Sequence, residues 1–414
     1  MRVLYVVGTN LSRNTSANIS HNAYVQGLLE NGCKVDILMS SASWGEKDDA
    51  LPTWKEAQYF TYNSVSNADR LKKYFKAIFD KQSPAHRTSV MNEQQPKEKI
   101  AQKKSIKKII RTLLKRIFDF TFNTSQLYNL ERTWLQNAKH FKESSPYDLI
   151  VSNSSPAASH KLVSDLISKK RISKARWIQI WEDPWFFDLY GGHTEEVKKE
   201  EHRLLQAAQE VYYVSTLTLH YQKNHFPDCA DKMKHIPLPY LKLEENHNNV
   251  NKENIQFGYF GDYYAHTRNL QPFYNAAVAS DTKALIIGDS DLNLKPTKSV
   301  SIEGRITLDK LNVLQNQTDV LVHLCNVRGG QIPGKIYHYS ATTKPILFIL
   351  DGTTEEIARI KEYFSQFNRY IFCENRKDDI LQKIDDIKKG VIQSEEKPVL
   401  AFSPKQVVKE LIKI

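Results

Sequence analysis

What most constrains this chain is an alternation that occurs twice. Short runs rich in Val, Ile and Leu alternate with longer stretches of helical character. Strands joined through helices run parallel, and a parallel sheet needs helices on both faces. In the first half the strand candidates are Val3–Val7, Lys34–Met39, Gln58–Tyr62, Asp148–Ser152, Arg176–Trp181 and Val211–Ser215. In the second half they are Ile255–Phe260, Lys283–Ile287, Val300–Glu303, Asp319–Leu324, Pro345–Leu350 and Tyr370–Cys373. A chain of 414 residues exceeds what one such core holds. The expectation is an α/β protein with two Rossmann-like domains facing a cleft. Residues 1–240 form the first domain, the polar, Asn-rich stretch 241–254 the linker, and residues 255–400 the second domain. Residues 401–414 open on Ser403-Pro404, an N-cap and first-turn pair, and are expected to form a helix packing back on the first domain.

One insertion, about residues 81–143, breaks the alternation. After a polar stretch, Ile106, Ile109, Ile110, Leu113, Leu114, Ile117 and Phe118 recur at helical steps. The opposite face carries Lys103, Lys104, Lys107, Lys108, Arg111 and Lys115. Residues 97–116 hold nine basic residues and one Glu, a local +8 of the chain's formal +11, so the basicity is local. A basic amphipathic helix suits an anionic membrane surface. It lacks the interleaved aromatics that single-stranded nucleic acid would use, so no nucleic acid is expected. No run of 18 apolar residues is present, and Val3–Val7 is too short for a signal peptide and reads as a first strand. Cys33, Cys229, Cys325 and Cys373 show no paired spacing, which points to a reducing compartment and away from a zinc site. The expected location is cytoplasmic, peripheral at the inner face of the membrane.

Ligands of open α/β sheets sit beyond the carboxyl ends of the strands. Asn10, Ser12 and His21 follow the first strand, and Ser154 and Ser155 follow the fourth. Trp181-Glu182-Asp183-Pro184-Trp185 places an acidic pair between two tryptophans. Tryptophan faces stack on sugars and a carboxylate can take a hydroxyl proton. The competing reading makes Asp183 a helix N-cap before Pro184. Gly261 and Asp262, with Arg268 beyond them, form a glycine loop after a strand that suits a diphosphate, with Arg305 as a second cation or a solvated turn residue. Gly329-Gly330 precedes Pro333-Gly334-Lys335 at a helix start, another anion-binding arrangement or an ordinary connection. Asp289-Ser290-Asp291 reads as a turn, and no metal is expected.

The stretch containing Pro333, Lys335, Tyr337, Tyr339, Ala341, Lys344 and Pro345 resembles the donor-site signature of glycosyltransferases with the B fold, particularly the family-four group. Residues 258–277 and 300–324 resemble that family's second domain, and YDLIVSNSSPAASH and RWIQIWEDPWFFDLYG its acceptor domain. The resemblance implies sugar transfer from a nucleotide-diphosphate donor, without cofactor or metal, to a lipid-linked or polysaccharide acceptor. It implies donor contacts from Gly261, Asp262, Arg268, Arg305, Gly330, Pro333, Lys335, Tyr337 and His338. It implies acceptor contacts from Asn10, Ser12, Ser154, Ser155, Trp181 and Trp185, with chemistry from Asp183, Glu182 or His21. Retaining members usually place two glutamates eight residues apart here. The matching positions are Gly330 and His338, so both stereochemical courses stay open. A nucleotide-sugar 2-epimerase and a non-catalytic partner protein of the same fold are the alternatives.

Overall fold

The computed structural model describes residues 1–42, 47–65, 127–189, 193–242, 255–391 and 394–413. The basic face from Lys103 to Lys115 and most of the expected linker lie outside them. The described chain forms two wholly parallel sheets. The first contains β1 (Arg2–Val7), β2 (Lys34–Ser40), β3 (Gln58–Tyr62), β4 (Leu149–Asn153), β5 (Arg176–Trp181), β6 (Glu210–Tyr213) and β7 (Met233–His235), in the order β3-β2-β1-β4-β5-β6-β7. The second contains β8 (Gln256–Phe260), β9 (Lys283–Ile287), β10 (Val300–Glu303), β11 (Val320–Leu324), β12 (Ile346–Leu350) and β13 (Tyr370–Glu374), in the order β10-β9-β8-β11-β12-β13. This is the expected α/β architecture of two Rossmann-like domains. The short edge strand β7 has no counterpart in the sequence reading, because three residues are too few to show a period.

Burial explains the continuous apolar runs. Val3 to Val7 are each 0% exposed, as a strand covered on both faces requires. In each sheet the order reverses beside the first strand: β1 pairs with β2 and β4, and β8 with β9 and β11. Two switch points therefore open at the carboxyl ends of β1/β4 and β8/β11, where loops diverge and leave room for ligands.

The domains are tied together in three ways. The Pro404–Ile412 helix, capped by the Ser403 hydroxyl, packs on the Ser16–Glu30 helix of the first domain. Gly27 makes that approach possible, since a Cβ there would overlap the Pro404 carbonyl oxygen. Tyr240 N–H donates to the Phe402 carbonyl at 3.1 Å. Tyr337, on the short Lys335–Tyr339 helix of the second domain, donates from its hydroxyl to Val214 O of the first at 3.0 Å. The part of the expected insertion that is described is not peripheral. The Arg132–Ala138 helix buries Trp134 and Ala138 completely in the core of the first domain, with Phe141 beside them.

Candidate active site at the domain junction

Asp183 sits on an irregular segment after β5, not at a helix start. The next helix begins at Glu195 and is capped by the Thr194 hydroxyl, so the N-cap reading of Asp183 is corrected. Its carboxyl is raised to about 6, chiefly by burial and then by Asp188, against the hydrogen bond from Gln331. A carboxylate poised near neutrality suits proton transfer. Glu182 is pushed well above the usual carboxylate range by burial and then by Asp183, so it favours the neutral acid.

His21 does not reach this position. It is 0% exposed within the Ser16–Glu30 helix, its Nδ1 lying 3.2 Å from the Tyr5 hydroxyl and 3.6 Å from Glu182 Oε1. Burial lowers it to about 3. Its ring is enclosed between Tyr5 and Glu182 and lies outside the lining of the cavity that Asp183 borders. Trp181 lies deeper than its neighbours at the floor of the cavity that Asp183 lines. It is 0% exposed, its indole N–H donates to Gln179 Oε1 at 3.0 Å, and its ring lies 4.3 Å from that of His160. Asn10 and Ser12 order their own loop, Asn10 Oδ1 accepting from Ser12 N–H and hydroxyl at 3.0 and 2.7 Å.

Asp183, Ser154, Ser155 and Trp185 do come together, lining a cavity of about 550 Å³ in the first domain with Tyr128 and Asp188. The Trp185 and Tyr128 rings lie 5.1 Å apart.

Across the junction, the glycine loop of the second domain is held by its own side chains. Asp262 accepts from Arg305 Nε at 3.0 Å and from Asp289 N–H at 3.0 Å, and Arg305 also lies 3.5 Å from Asp289. Burial opposes ionisation of Asp262, but Arg305 and the Asp289 amide outweigh it and hold the carboxyl below its usual value. Asp262 and Arg305 thus form an ion pair at the loop, with the Arg305 side chain largely exposed. Asp289-Ser290-Asp291 follows β9 as an irregular segment in which Ser290 bridges Tyr263, with Asp291 accepting from Ala265 N–H at 2.9 Å. Gly261 would accept a Cβ without a contact closer than 3.8 Å.

Arg268 donates to Asn326 Oδ1 at 3.2 and 3.1 Å, and Asn326 Nδ2 donates to Gln331 O at 3.0 Å. Gln331 Nε2 donates to Asp188 Oδ1 at 2.9 Å, and its Oε1 accepts from Leu189 N–H at 2.9 Å. A polar chain therefore runs from Arg268 to the Asp183 segment. Gly330 docks one domain on the other: its carbonyl accepts from the Ser215 and Thr218 hydroxyls, each at 2.7 Å, and a Cβ would come within 2.9 Å of Thr218. Tyr337, 1% exposed, is core, which corrects its assignment to the donor. Lys335 and His338 line a second cavity, about 270 Å³, between Ile19 and Ala50 of one domain, Leu241 where the linker begins, and Leu308 and Asn312 of the other domain. Pro333 is half-buried just before them. Burial and then Lys335 lower His338 to about 3, so it is a neutral hydrogen-bonding group. Lys344 is tied down, its ammonium donating to Gln315, Asn316 and Thr318 carbonyls.

Sequence reasoning missed Asn326, Gln331 and Asp188, and also Glu201. Glu201 is 0% exposed and accepts from Phe186 N–H at 2.7 Å, Trp185 N–H at 3.2 Å and Gln222 Nε2 at 3.1 Å, fixing the segment that carries Asp183. The signal was present: Val197, Glu201, Leu204 and Leu205 share one helical face, and a carboxylate in an apolar stripe needs partners. Burial raises Glu201 to about 7 against those donors. Its folded value lies above the unfolded one, so the stability it contributes is full below about pH 4.5 and lost as pH rises through about 7. Urea unfolding from pH 4.5 to 8 is expected to show this decline, and Glu201→Gln to flatten it. Parallel curves for the two proteins would contradict the assignment.

No protein-family model matches the chain, and no curated protein matches it. Solved structures do. The chain is similar to HepE from Anabaena in complex with UDP and glucose, at 10% identity over 99% of this chain and 95% of that one, TM-score 0.55. It is similar to the lipopolysaccharide outer core galactosyltransferase WaaB in its apo form, at 11% identity over 100% of both chains, TM-score 0.53. The UDP-GlcNAc 2-epimerase from Methanocaldococcus jannaschii aligns over 99% of both chains, at 10% identity and TM-score 0.50. Likeness over full length shows the glycosyltransferase B fold, and at this identity it shows the fold alone.

Proposed function

We propose that the protein transfers a sugar from a nucleotide-diphosphate donor to a glycan acceptor. The observation that carries this reading is Asp183. It is a carboxyl group raised to about 6 that lines the cavity of the first domain beside Asp188, to which Gln331 of the second donates at 2.9 Å. The acceptor hydroxyl attacks the anomeric carbon, the bond to the diphosphate breaks, and Asp183 takes the hydroxyl proton. The nucleoside diphosphate departs with its electron pair, its charge met by Lys335 in the cavity between the domains and by Arg268. The presence of UDP and glucose in HepE, a protein of the same fold, supports this class of donor. The acceptor we favour is a lipid-linked or polymeric cell-surface glycan, which the cationic segment Lys103–Lys115 would approach at an anionic membrane; the support is its charge. No helix among the described residues is long and apolar enough to cross a membrane.

The test is thermal shift with nucleoside diphosphates and nucleotide sugars, followed by assay of diphosphate release with and without glycan acceptors. Binding stabilises the native state, so a rise in Tm and acceptor-dependent release are expected. No response to any of these nucleotides would overturn the proposal. An epimerised sugar nucleotide formed without acceptor would replace it with the isomerase reading.

A further inference from the structure

The charges of the two cavities are opposite. Around Lys335 the lining includes Lys242 and Lys344 against one carboxylate, Asp309. The cavity beside Asp183 is lined by Glu131, Asp183 and Asp188, and among its described lining residues the one basic side chain is His193, with no Lys or Arg. Its wall is aromatic and fixed. Tyr128 is pinned by its hydroxyl bond to Glu200 at 2.8 Å, and Trp185 by its amide bond to Glu201 at 3.2 Å. Ser154, 2% exposed, lines the same cavity, and its hydroxyl has no hydrogen-bond partner among the described residues. A buried hydroxyl left unpaired is costly unless something else pairs with it. About 550 Å³ is an ordinary size for a small-molecule site.

We infer that this cavity selects a sugar ring bearing no anionic group, either uncharged or carrying a protonated amine. The ring stacks on the Tyr128–Trp185 wall, and one of its hydroxyls pairs with Ser154. Aromatic faces suit the C–H face of a sugar and also a cation. A phosphate or carboxylate in the same space would face three acidic side chains against one basic one, His193, whose Nδ1 lies 2.6 Å from the Phe186 carbonyl, and like charges at close range repel. If the acceptor is lipid-linked, its phosphates therefore lie outside this cavity. The inference rests on the sugar-transfer reading, in which this is the acceptor side.

The experiment titrates the full-length protein, saturated with UDP or whichever nucleoside diphosphate binds, with matched methyl glycosides of glucose, galactose and mannose. Each sugar is offered in neutral, amino and uronic-acid forms, and binding is followed by tryptophan fluorescence and calorimetry. For at least one sugar, the neutral and amino forms are expected to bind at least about tenfold more tightly than the uronic form. Asp188→Asn should narrow that gap while leaving Tm within a few degrees. A uronic form binding as tightly as its neutral partner, or no binding by any member of the set, would overturn the inference. Failure of the sugar-transfer reading is distinct: it appears as loss of nucleotide binding in the preceding step.

Discussion

Replacing Asp183 with asparagine is expected to reduce turnover by roughly 10²–10⁴-fold, the usual contribution of a positioned general base, with donor affinity unchanged. Asparagine keeps the size of the side chain and its capacity to accept a hydrogen bond, but it cannot take the acceptor's proton. The wild-type rate should rise with pH through about 6, where Asp183 ionises, and then level off. The variant should lose that limb. Stability moves the other way. Burial raises the carboxyl above its unfolded value of 3.8, so its charged form burdens the folded state above about pH 6. Asparagine removes that burden, and the variant should unfold no more easily than the parent at pH 7.5. Rates within a few-fold of the parent, in a variant with unaltered circular dichroism and Tm, would remove Asp183 from the chemistry.

Much of the architecture was legible because parallel strands announce themselves. Val3–Val7 and Ile346–Leu350 are buried on both faces, so their apolar runs are unbroken and their position is fixed to within a residue. The site was legible as a neighbourhood and less so as contacts. Asp183, Trp185, Ser154 and Ser155 follow β5 and β4, adjacent strands, so one topological rule gathers them. Depth was not legible. His21, Trp181 and Tyr337 occupy suggestive positions in the sequence, yet what covers them comes from distant segments. Tyr5 lies beside His21, His160 packs on Trp181, and Phe402 packs on Tyr337 at 4.9 Å. Charge pairing was equally hidden. Arg305 reads as a candidate cation until β8 and β10, separated in the sheet by β9, place its guanidinium on Asp262. Gln331 carries no distinguishing signal in sequence, because its importance comes entirely from the segment across the junction that it meets.

Removing the ammonium group of Lys335 should weaken nucleoside-diphosphate binding by about 1.5–3 kcal/mol, or roughly 10- to 150-fold in Kd. Three cations line or adjoin this cavity, but they are not equivalent. Lys344 closes the end of the Leu308–Gln317 helix through three carbonyl contacts, so its charge is already compensated. Lys242 lies at the edge of the linker. Lys335 stands at the first position of the Lys335–Tyr339 helix, on a side of the cavity faced by both domains. Its neighbour His338 is held neutral at ordinary pH and cannot replace the lost charge. Lys335→Arg should recover most of the affinity if charge is what matters. Recovery should be poorer if the diphosphate needs a compact ammonium, since a planar guanidinium presents its donors as a fixed fork. Calorimetry with the nucleoside diphosphate and with the parent nucleoside separates the contributions. The loss should be confined to the diphosphate, with the nucleoside binding alike to parent and variant. Equal losses for both ligands would mean that Lys335 shapes the cavity rather than meeting phosphate. No loss for either would move the diphosphate to Arg268 and the loop that follows β8.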